Sequence, residues 1–224
     1  MYARSIVAGL LSFAALSTAA PLVARTESDP SSVRSNVVPI APFSSPNVRR
    51  QAPGQQPIAT LLPDFTSQYT SSTGAVDFHT SRGLVSRYPQ NGGQDITTLV
   101  TFELPSEYGS NECQLVFDLG NDPSAYVAGT GQAQLFTSLA PAYEDTSTWP
   151  NGNLRNQHLG TIQVDVDGRA VWEAGSGPGA TVDGMFPCSA IAGMIYGGEV
   201  VPVGDTDTIS WAAGSGDGPK ILVW

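Results

Sequence analysis

The sequence predicts an all-β protein, a two-sheet antiparallel β-sandwich with a single disulfide. The stretch 96–119, ITTLVTFELPSEYGSNECQLVFDL, contains two runs in which apolar and polar side chains alternate with the two-residue period of a strand. Twenty-four glycines and seventeen prolines in 224 residues indicate frequent turns. Short β-branched runs recur between these turns, whereas helical spacing of apolar residues is scarce after the first twenty positions.

The two runs in 96–119 predict consecutive, half-buried strands at the centre of the domain. On the first strand, the alternation places on one face Ile96, Thr98, Val100, Phe102 and Leu104. On the second strand, it turns inward Cys113, Leu115, Phe117 and Leu119. The residues between the strands, 105–111, contain Pro, Ser, Gly and Asn and favour a turn.

Further short strands are expected along the chain, eight to ten in all, which is typical of a sandwich. Clear alternation or β-branched composition predicts strands at 75–79, 83–88, 133–139, 207–212 and 220–224, and the chain is expected to return to the core at 186–188. The stretch 193–203 is ambiguous, and the Gly-Ser-Pro composition of 175–185 predicts a flexible loop.

A hairpin is predicted over 158–174, and two registers are compatible with its turn. A three-residue loop that ends at Gly168 with positive φ places Trp172 opposite Ile162 on the apolar side and Asp165 opposite Arg169 on the polar side. A two-residue turn would instead place Trp172 on the polar face, where it would become a binding candidate. The first register is preferred because it buries the tryptophan and pairs the charges.

The N-terminal region is predicted to lie outside the folded domain. Residues 1–19 have a basic start, an apolar core and small residues up to Ala19, the pattern of a secretory signal. Residues 20–56 are rich in Pro and Ser and poor in large side chains, so they are expected to be disordered, and the sandwich domain spans 57–224. The pair Arg49-Arg50 matches a dibasic processing site, although a chance pair has the same appearance.

The charge balance restricts the partners of the domain. Residues 51–224 contain five basic and eighteen acidic residues, so nucleic acid and anionic membranes should be repelled. No run after the signal approaches the roughly 20 apolar residues of a membrane helix. These features predict a secreted, extracellular protein, with a possible place in the cell wall.

The only two cysteines, Cys113 and Cys188, are expected to form a structural disulfide, because an even pair in a secreted chain is normally joined. The only two histidines, His79 and His158, are too few for the usual structural zinc site and are interpreted as strand residues. A Ser-His-Asp triad stays open because triads are assembled in space, but no G-x-S-x-G motif is present. No metal, cofactor or catalytic residue is predicted.

Paired acids provide an alternative, enzymatic hypothesis. They occur at 144–145, at Asp165 and Asp167, and at Asp205 and Asp207, and a glycosidase uses two carboxyl groups across a cleft. Chance pairs are equally expected among eighteen acids, and the spacing at 165–168 lacks the donors of a calcium loop.

The long polar segment 140–157 is the predicted ligand-binding surface, because it is the longest part of the domain without a clear period. Tyr143 and Trp149 are the candidate binding residues, with Tyr126 on another loop, since flat aromatic rings can bind sugars. A tryptophan in a small sandwich also serves as a core residue or loop anchor. The predicted partner is a cell-wall polysaccharide or an extracellular protein, and the oligomeric state stays open.

Several short motifs resemble one fungal family. They are LVTF at 99–102, Pro105, CQLVF at 113–117, FPC at 186–188, DTISW at 207–211 and the Gly-Pro pair at 218–219. The sequence resembles the ubiquitin-binding protein But C-terminal domain of small secreted proteins of filamentous fungi, over about 60–224. The resemblance implies a single β-sandwich, a bridge between Cys113 and Cys188, and no known catalytic residues. It also implies a ubiquitin-like partner inside the cell, which is not expected for a chain with a secretory signal.

Overall fold

The structure is a computed structural model that describes residues 55–91, 94–142, 154–173, 175 and 179–224. Within these ranges the chain forms fifteen strands and three short 3-10 helices. None of the described helices is long and apolar enough to cross a bilayer. The predicted signal residue Ala19 and the dibasic pair Arg49-Arg50 lie outside the described residues.

The smaller sheet has five antiparallel strands. They are β1 (Ala59–Leu61), β6 (Glu112–Leu119), β10 (Gly168–Arg169), β12 (Met185–Pro187) and β15 (Gly218–Val223). The order across the sheet is β1-β15-β6-β10, and β12 pairs with the other end of β6. The final strand, β15, therefore lies between β1 and β6. Strand β6 pairs with three strands: β10, β12 and β15.

The larger sheet has ten antiparallel strands. They are β2 (Phe65–Thr70), β3 (Ala75–Asp77), β4 (Arg82–Arg87), β5 (Ile96–Glu103), β7 (Tyr126–Gly129), β8 (Gln132–Ser138), β9 (Arg155–Gln163), β11 (Val171–Glu173), β13 (Ile195–Pro202) and β14 (Asp207–Ala212). The main order is β11-β9-β8-β13-β5-β4-β14-β7, with β2 paired to β5 and β3. The ambiguous stretch 193–203 is thus a strand at the centre of this sheet.

The two central strands predicted from 96–119 lie in different sheets and face each other across the core. Most of the side chains that the alternation places inward belong to one buried cluster: Val100, Phe102, Leu104, Cys113, Leu115, Phe117 and Leu119. Ile96 is only partly buried, and Thr98 is buried outside this cluster. Phe102 and Phe117 are each 1% exposed, and Trp211 of β14 packs edge-on against Phe117 with ring centroids 5.1 Å apart. The predicted two-sheet sandwich is therefore confirmed.

The prediction that β5 is half-buried is wrong, because its second face is buried too. Thr97, Leu99 and Thr101 are all at most 4% exposed. Leu99 forms a second, smaller cluster with Tyr69 and Ala142 on the outer face of the larger sheet. The burial arises from segments that cover this face, which a strand's own alternation cannot reveal.

The disulfide between Cys113 and Cys188 is confirmed. The bond joins β6 to the short 3-10 helix Cys188–Ala190, and both cysteines are fully buried. The neighbouring ladder pairs Cys113 with Phe186 on one side and with Val223 on the other. The bridge therefore connects the middle of the chain to its last third at the edge of the core.

The hairpin prediction over 158–174 is partly confirmed. Trp172 does pair with Ile162, and Gly168 has a φ of +113°. The predicted Asp165–Arg169 charge pair is wrong, since Arg169 binds Asp118 of β6 at 2.8 Å. The physical reason is that the chain changes sheets between β9 and β11. Gly168 and Arg169 form the short strand β10, which pairs with β6 of the smaller sheet.

Two smaller predictions also need correction. His79, interpreted as a strand residue, lies in a turn with a φ of +52°, because β3 ends at Asp77. The strand number exceeds the expected eight to ten among the described residues, since strands of two to four residues such as β10 and β7 lack enough alternation to be detected.

Asp118 is the meeting point of two ion pairs, with Arg169 and with Lys220 at 3.0 Å. Burial tends to raise the pKa of Asp118, but hydrogen bonds from the two cations outweigh burial and hold that pKa below its usual range. Lys220 is 9% exposed and its ammonium also donates to the carbonyl of Gly216. The carboxylate therefore compensates a nearly buried positive charge.

Asp118→Asn is expected to lower the free energy of unfolding by about 2 kcal/mol at pH 7, because it leaves the Lys220 ammonium without its counter-charge. Since the folded-state pKa of Asp118 is lowered, its contribution is present above the unfolded pKa and is lost as pH falls through the folded value. Urea unfolding at pH 7 and pH 3 measures both effects. Glu112→Gln, an exposed carboxyl change on the same strand, should cost less than about 0.5 kcal/mol.

Candidate functional site

The predicted ligand residues Tyr143 and Trp149 lie outside the described residues, so their prediction stays untested. The structure does describe the chain on either side of them, at Ala142 and Leu154. Ala142 is 2% exposed, and its carbonyl accepts a hydrogen bond from the Thr101 hydroxyl at 3.2 Å. The Leu154 carbonyl accepts a hydrogen bond from the Leu139 N–H at 2.9 Å. The described residues on either side of 143–153 are therefore hydrogen-bonded, Ala142 to β5 and Leu154 to the residue that follows β8.

A buried ion pair stands beside these anchor points. Glu199 of β13 has a side chain that is 2% exposed, and its carboxylate accepts two hydrogen bonds from Arg155, at 2.9 and 3.0 Å. The hydroxyl of Thr97 on β5 donates a third at 2.7 Å. A carboxylate so enclosed by three donors is rigidly positioned, and it holds the start of β9 against the sheet.

Aromatic rings extend this arrangement along β8 and β9. The Arg155 guanidinium lies 4.9 Å from the centre of the Phe136 ring, and the His158 ring lies 5.0 Å from the same ring. His158 is a strand residue, as predicted, and its Nε2 is buried with no hydrogen-bond partner among the described residues. The first part of β9 thus packs a charged group and an aromatic ring against Phe136 of β8.

The paired carboxylates of the enzymatic hypothesis take different places in the fold. Asp165 accepts a hydrogen bond from the next backbone N–H in its turn. Asp207 is fully buried, its Oδ1 accepts a hydrogen bond from the Gly131 N–H at 3.0 Å, and burial raises its pKa. The pair at 144–145 lies outside the described residues. Asp165 and Asp207 thus have local structural roles.

No group of three or more His, Cys, Asp or Glu side chains within the described ranges could hold a metal ion. His79, the other histidine, stacks on Phe65 with ring centroids 4.3 Å apart. Its backbone N–H donates to the Ser67 hydroxyl. The structure thus gives this histidine a packing role at the edge of β2.

A pocket of about 480 Å³ opens between the two sheets. We call it the inter-sheet pocket. The smaller sheet contributes Leu115, Phe186 and Ile221, and the larger sheet contributes Leu159 and Tyr196. Its volume lies within the range of small-molecule sites in proteins.

The inter-sheet pocket is lined by apolar side chains and a few uncharged polar ones, with no charged residue among its described lining. Two of its hydroxyls are already engaged. Thr181 donates to the Leu159 carbonyl, and Thr137 accepts from the Gln157 N–H. The Tyr196 hydroxyl, by contrast, makes no hydrogen bond with any residue in the described part of the chain.

Sequence reasoning misses this pocket because most of one wall, 179–185, falls within the stretch 175–185 whose composition predicts a flexible loop. In the structure Val182 bridges to Met185 around Asp183 and Gly184, which both have positive φ. Two consecutive positive φ values define a tight hairpin turn, and Asp-Gly is its usual sequence. That dipeptide was the available signal, and it positions Met185 and Phe186 beside the pocket.

The exposed charge of the domain is negative. All five Arg and Lys residues of the described ranges are in ion pairs, with Asp95, Asp118, Asp122 or Glu199. Exposed carboxyl groups such as Glu103, Glu107 and Glu112 remain without such a partner. The basic groups therefore serve the fold, and the acidic excess expected from composition lies on the surface.

The comparisons with known proteins agree with this architecture. A family model described as the ubiquitin 3 binding protein But2 C-terminal domain matches residues 63–212, more than half of the chain. A search of curated proteins found no match. The matched range includes both cysteines of the disulfide and ends before β15, which completes the smaller sheet. The chain belongs to the family of the But2 C-terminal domain.

Proposed function

We propose that this protein is a secreted, non-enzymatic binding module that acts at the cell wall or in the surroundings of the cell. The family description names a binding activity, which is consistent with a binding module. The predicted secretory signal at 1–19 argues against a ubiquitin-like partner, because such modifiers act inside the cell. The proposed partner is a cell-wall polysaccharide or an extracellular protein.

The observation that carries the proposal is that the described residues on both sides of 143–153 are held by hydrogen bonds. The backbone on both sides is hydrogen-bonded, at Ala142 and at Leu154. The ion pair of Arg155 and Glu199 holds the following strand. Binding surfaces are commonly formed by the segments that connect rigidly held strands, and the sequence between these two points contains Tyr143 and Trp149.

The surface charge supports a neutral or cationic partner. Since the described basic groups are all in ion pairs, an anionic polymer would meet repulsion without a compensating cation. Chitin, β-glucan and cellulose carry no net negative charge. Binding to such polymers through aromatic rings would need no ionic contact.

A sedimentation assay with insoluble chitin, β-glucan and cellulose tests the proposal. We expect the protein to be retained on at least one polymer, and Trp149→Ala to lower the retained fraction at least fivefold, because the ring would supply the main contact. Tyr126, which is also a candidate sugar-binding ring, is 54% exposed on the strand β7 and not on a loop, and as a candidate it cannot serve as the control. Val171→Ala is the control, since Val171 is an apolar residue that is 65% exposed on the edge strand β11 and is no candidate for sugar binding.

Two results would contradict this function. Failure of all three polymers to retain the protein would reject the polysaccharide partner. Equal retention of Trp149→Ala and the unsubstituted protein would reject the proposed surface. An unchanged urea midpoint for Trp149→Ala is needed to show that the ring is not an anchor of the fold.

A further inference from the structure

The inter-sheet pocket has the size of a ligand site and a chemistry different from that of the surface. The domain surface is acidic, yet the described lining of this 480 Å³ pocket contains no charged side chain. A buried ionic group there would lose its hydration without gaining a counter-charge, which is strongly unfavourable. The lining therefore selects a neutral ligand.

The hydroxyl of Tyr196 is a polar group of the pocket that does not contribute a hydrogen bond to the described part of the fold. Burial raises the pKa of Tyr196, so its hydroxyl remains protonated and able to donate at any physiological pH. This hydroxyl makes no hydrogen bond with the residues that the structure describes. Tyr196 lines the pocket and is only partly buried, so its hydroxyl is available to donate a hydrogen bond to a ligand that enters the pocket.

We propose that the inter-sheet pocket binds a neutral, mainly apolar small molecule whose oxygen accepts a hydrogen bond from the Tyr196 hydroxyl. Apolar walls with one or two convergent polar groups are typical of small-molecule sites. Leu115, Phe186 and Ile191 form an apolar surface around the ligand. The amide of Gln157 stands in the same lining as a second polar group.

Two methionines allow the pocket to adapt to ligands of different outline. Met185 and Met194 both line it, and Met194 is 52% exposed. Methionine is unbranched and polarisable, so it fills irregular gaps at a low cost in conformation. Exposing the large apolar side chain of Met194 to water is unfavourable, and a bound ligand would cover it.

This inference is independent of the proposed polysaccharide binding. It rests on the space between the sheets and on Tyr196, not on Tyr143 or Trp149. The two can fail separately, since an insoluble polymer cannot enter a 480 Å³ pocket, whereas a small apolar molecule can.

The experiment titrates the purified protein with prodan, a neutral naphthalene dye with one ketone. Prodan emission shifts to the blue in apolar surroundings and responds to hydrogen bonding at the ketone, so it reports both features of the site. We expect saturable binding with one site per chain. Tyr196→Phe should weaken binding about fivefold, the value of one hydrogen bond, and change the emission maximum of the bound dye.

Ala180→Trp is expected to reduce prodan binding at least tenfold by filling the pocket. Ala180 is an exposed residue of the lining, so the larger ring can enter the space without disturbing the core. Ala75→Trp, at an exposed alanine of β3, is the matched control and should bind prodan as the unsubstituted protein does. Circular dichroism and thermal unfolding verify that each variant is folded.

Competition tests the charge preference. The neutral alcohol 1-decanol should displace prodan, whereas decanoate at pH 7 should displace it at least tenfold less well. The proposal is overturned if prodan does not bind, if Ala180→Trp binds it as tightly as the Ala75→Trp control, or if decanoate competes as well as decanol.

Discussion

Replacing both Cys113 and Cys188 with alanine is expected to lower the free energy of unfolding by about 4 kcal/mol. The bond closes a loop with a sequence separation of 75, so its removal restores a large conformational entropy to the unfolded chain. Equilibrium urea unfolding of the double variant and of the unsubstituted protein measures the difference.

Unfolding of the unsubstituted protein in dithiothreitol is the control, because reduction removes the same constraint without changing the side chains to alanine. Both cysteines are fully buried, so we expect the bond to resist dithiothreitol until urea unfolds the domain. A difference below about 1 kcal/mol between the oxidised protein and the double variant would contradict the loop-entropy explanation.

Gly83→Ala is expected to destabilise the domain by about 3 kcal/mol, through overpacking of the core. A Cβ atom at this position of β4 would overlap Cζ2 of Trp211. The indole is 1% exposed and contacts Phe117 on another side, so it has no free space into which to move. The midpoint of urea unfolding checks the effect.

A double-mutant cycle with Trp211→Phe separates this overpacking from a general loss of backbone flexibility. The smaller ring removes the atoms that the new Cβ would contact, so the double variant should lose less stability than the sum of the two single changes. Gly109→Ala is the control, since its Cβ would meet only the Ala192 Cβ, at 3.7 Å. Additive effects at Gly83 and Trp211 would contradict the steric explanation.

The two candidate sites were only partly accessible to sequence reasoning. The polar segment 140–157, with Tyr143 and Trp149, could be predicted, because polarity and the absence of a period are local properties of the sequence. The inter-sheet pocket carries no such signal. Its walls come from β6, β8, β9, β12 and β13, and residues such as Leu159 and Tyr196 are indistinguishable in sequence from ordinary core residues.

The hairpin over 158–174 shows the same division within one element. Ile162 opposite Trp172 follows from alternation, because only that register puts the indole on the apolar side, where it is partly buried against the core. The partner of Arg169 does not follow, since it depends on β6, which lies about fifty residues earlier in the chain. Gly83 is a further example. In the sequence it only predicts a weakened strand, and the structure shows that the ring of Trp211 packs against it and leaves no room for a side chain.

The sequence by itself determined the all-β class, the inward faces of the two central strands and the joining of Cys113 to Cys188. These depend on side-chain alternation and on the presence of only two cysteines in a chain with a predicted secretory signal. The tertiary structure alone decided that the central strands lie in opposite sheets, that β5 is buried on both faces, and that a neutral pocket opens between the sheets. Such features arise from contacts between distant segments, and local periodicity contains no information about which segments will meet.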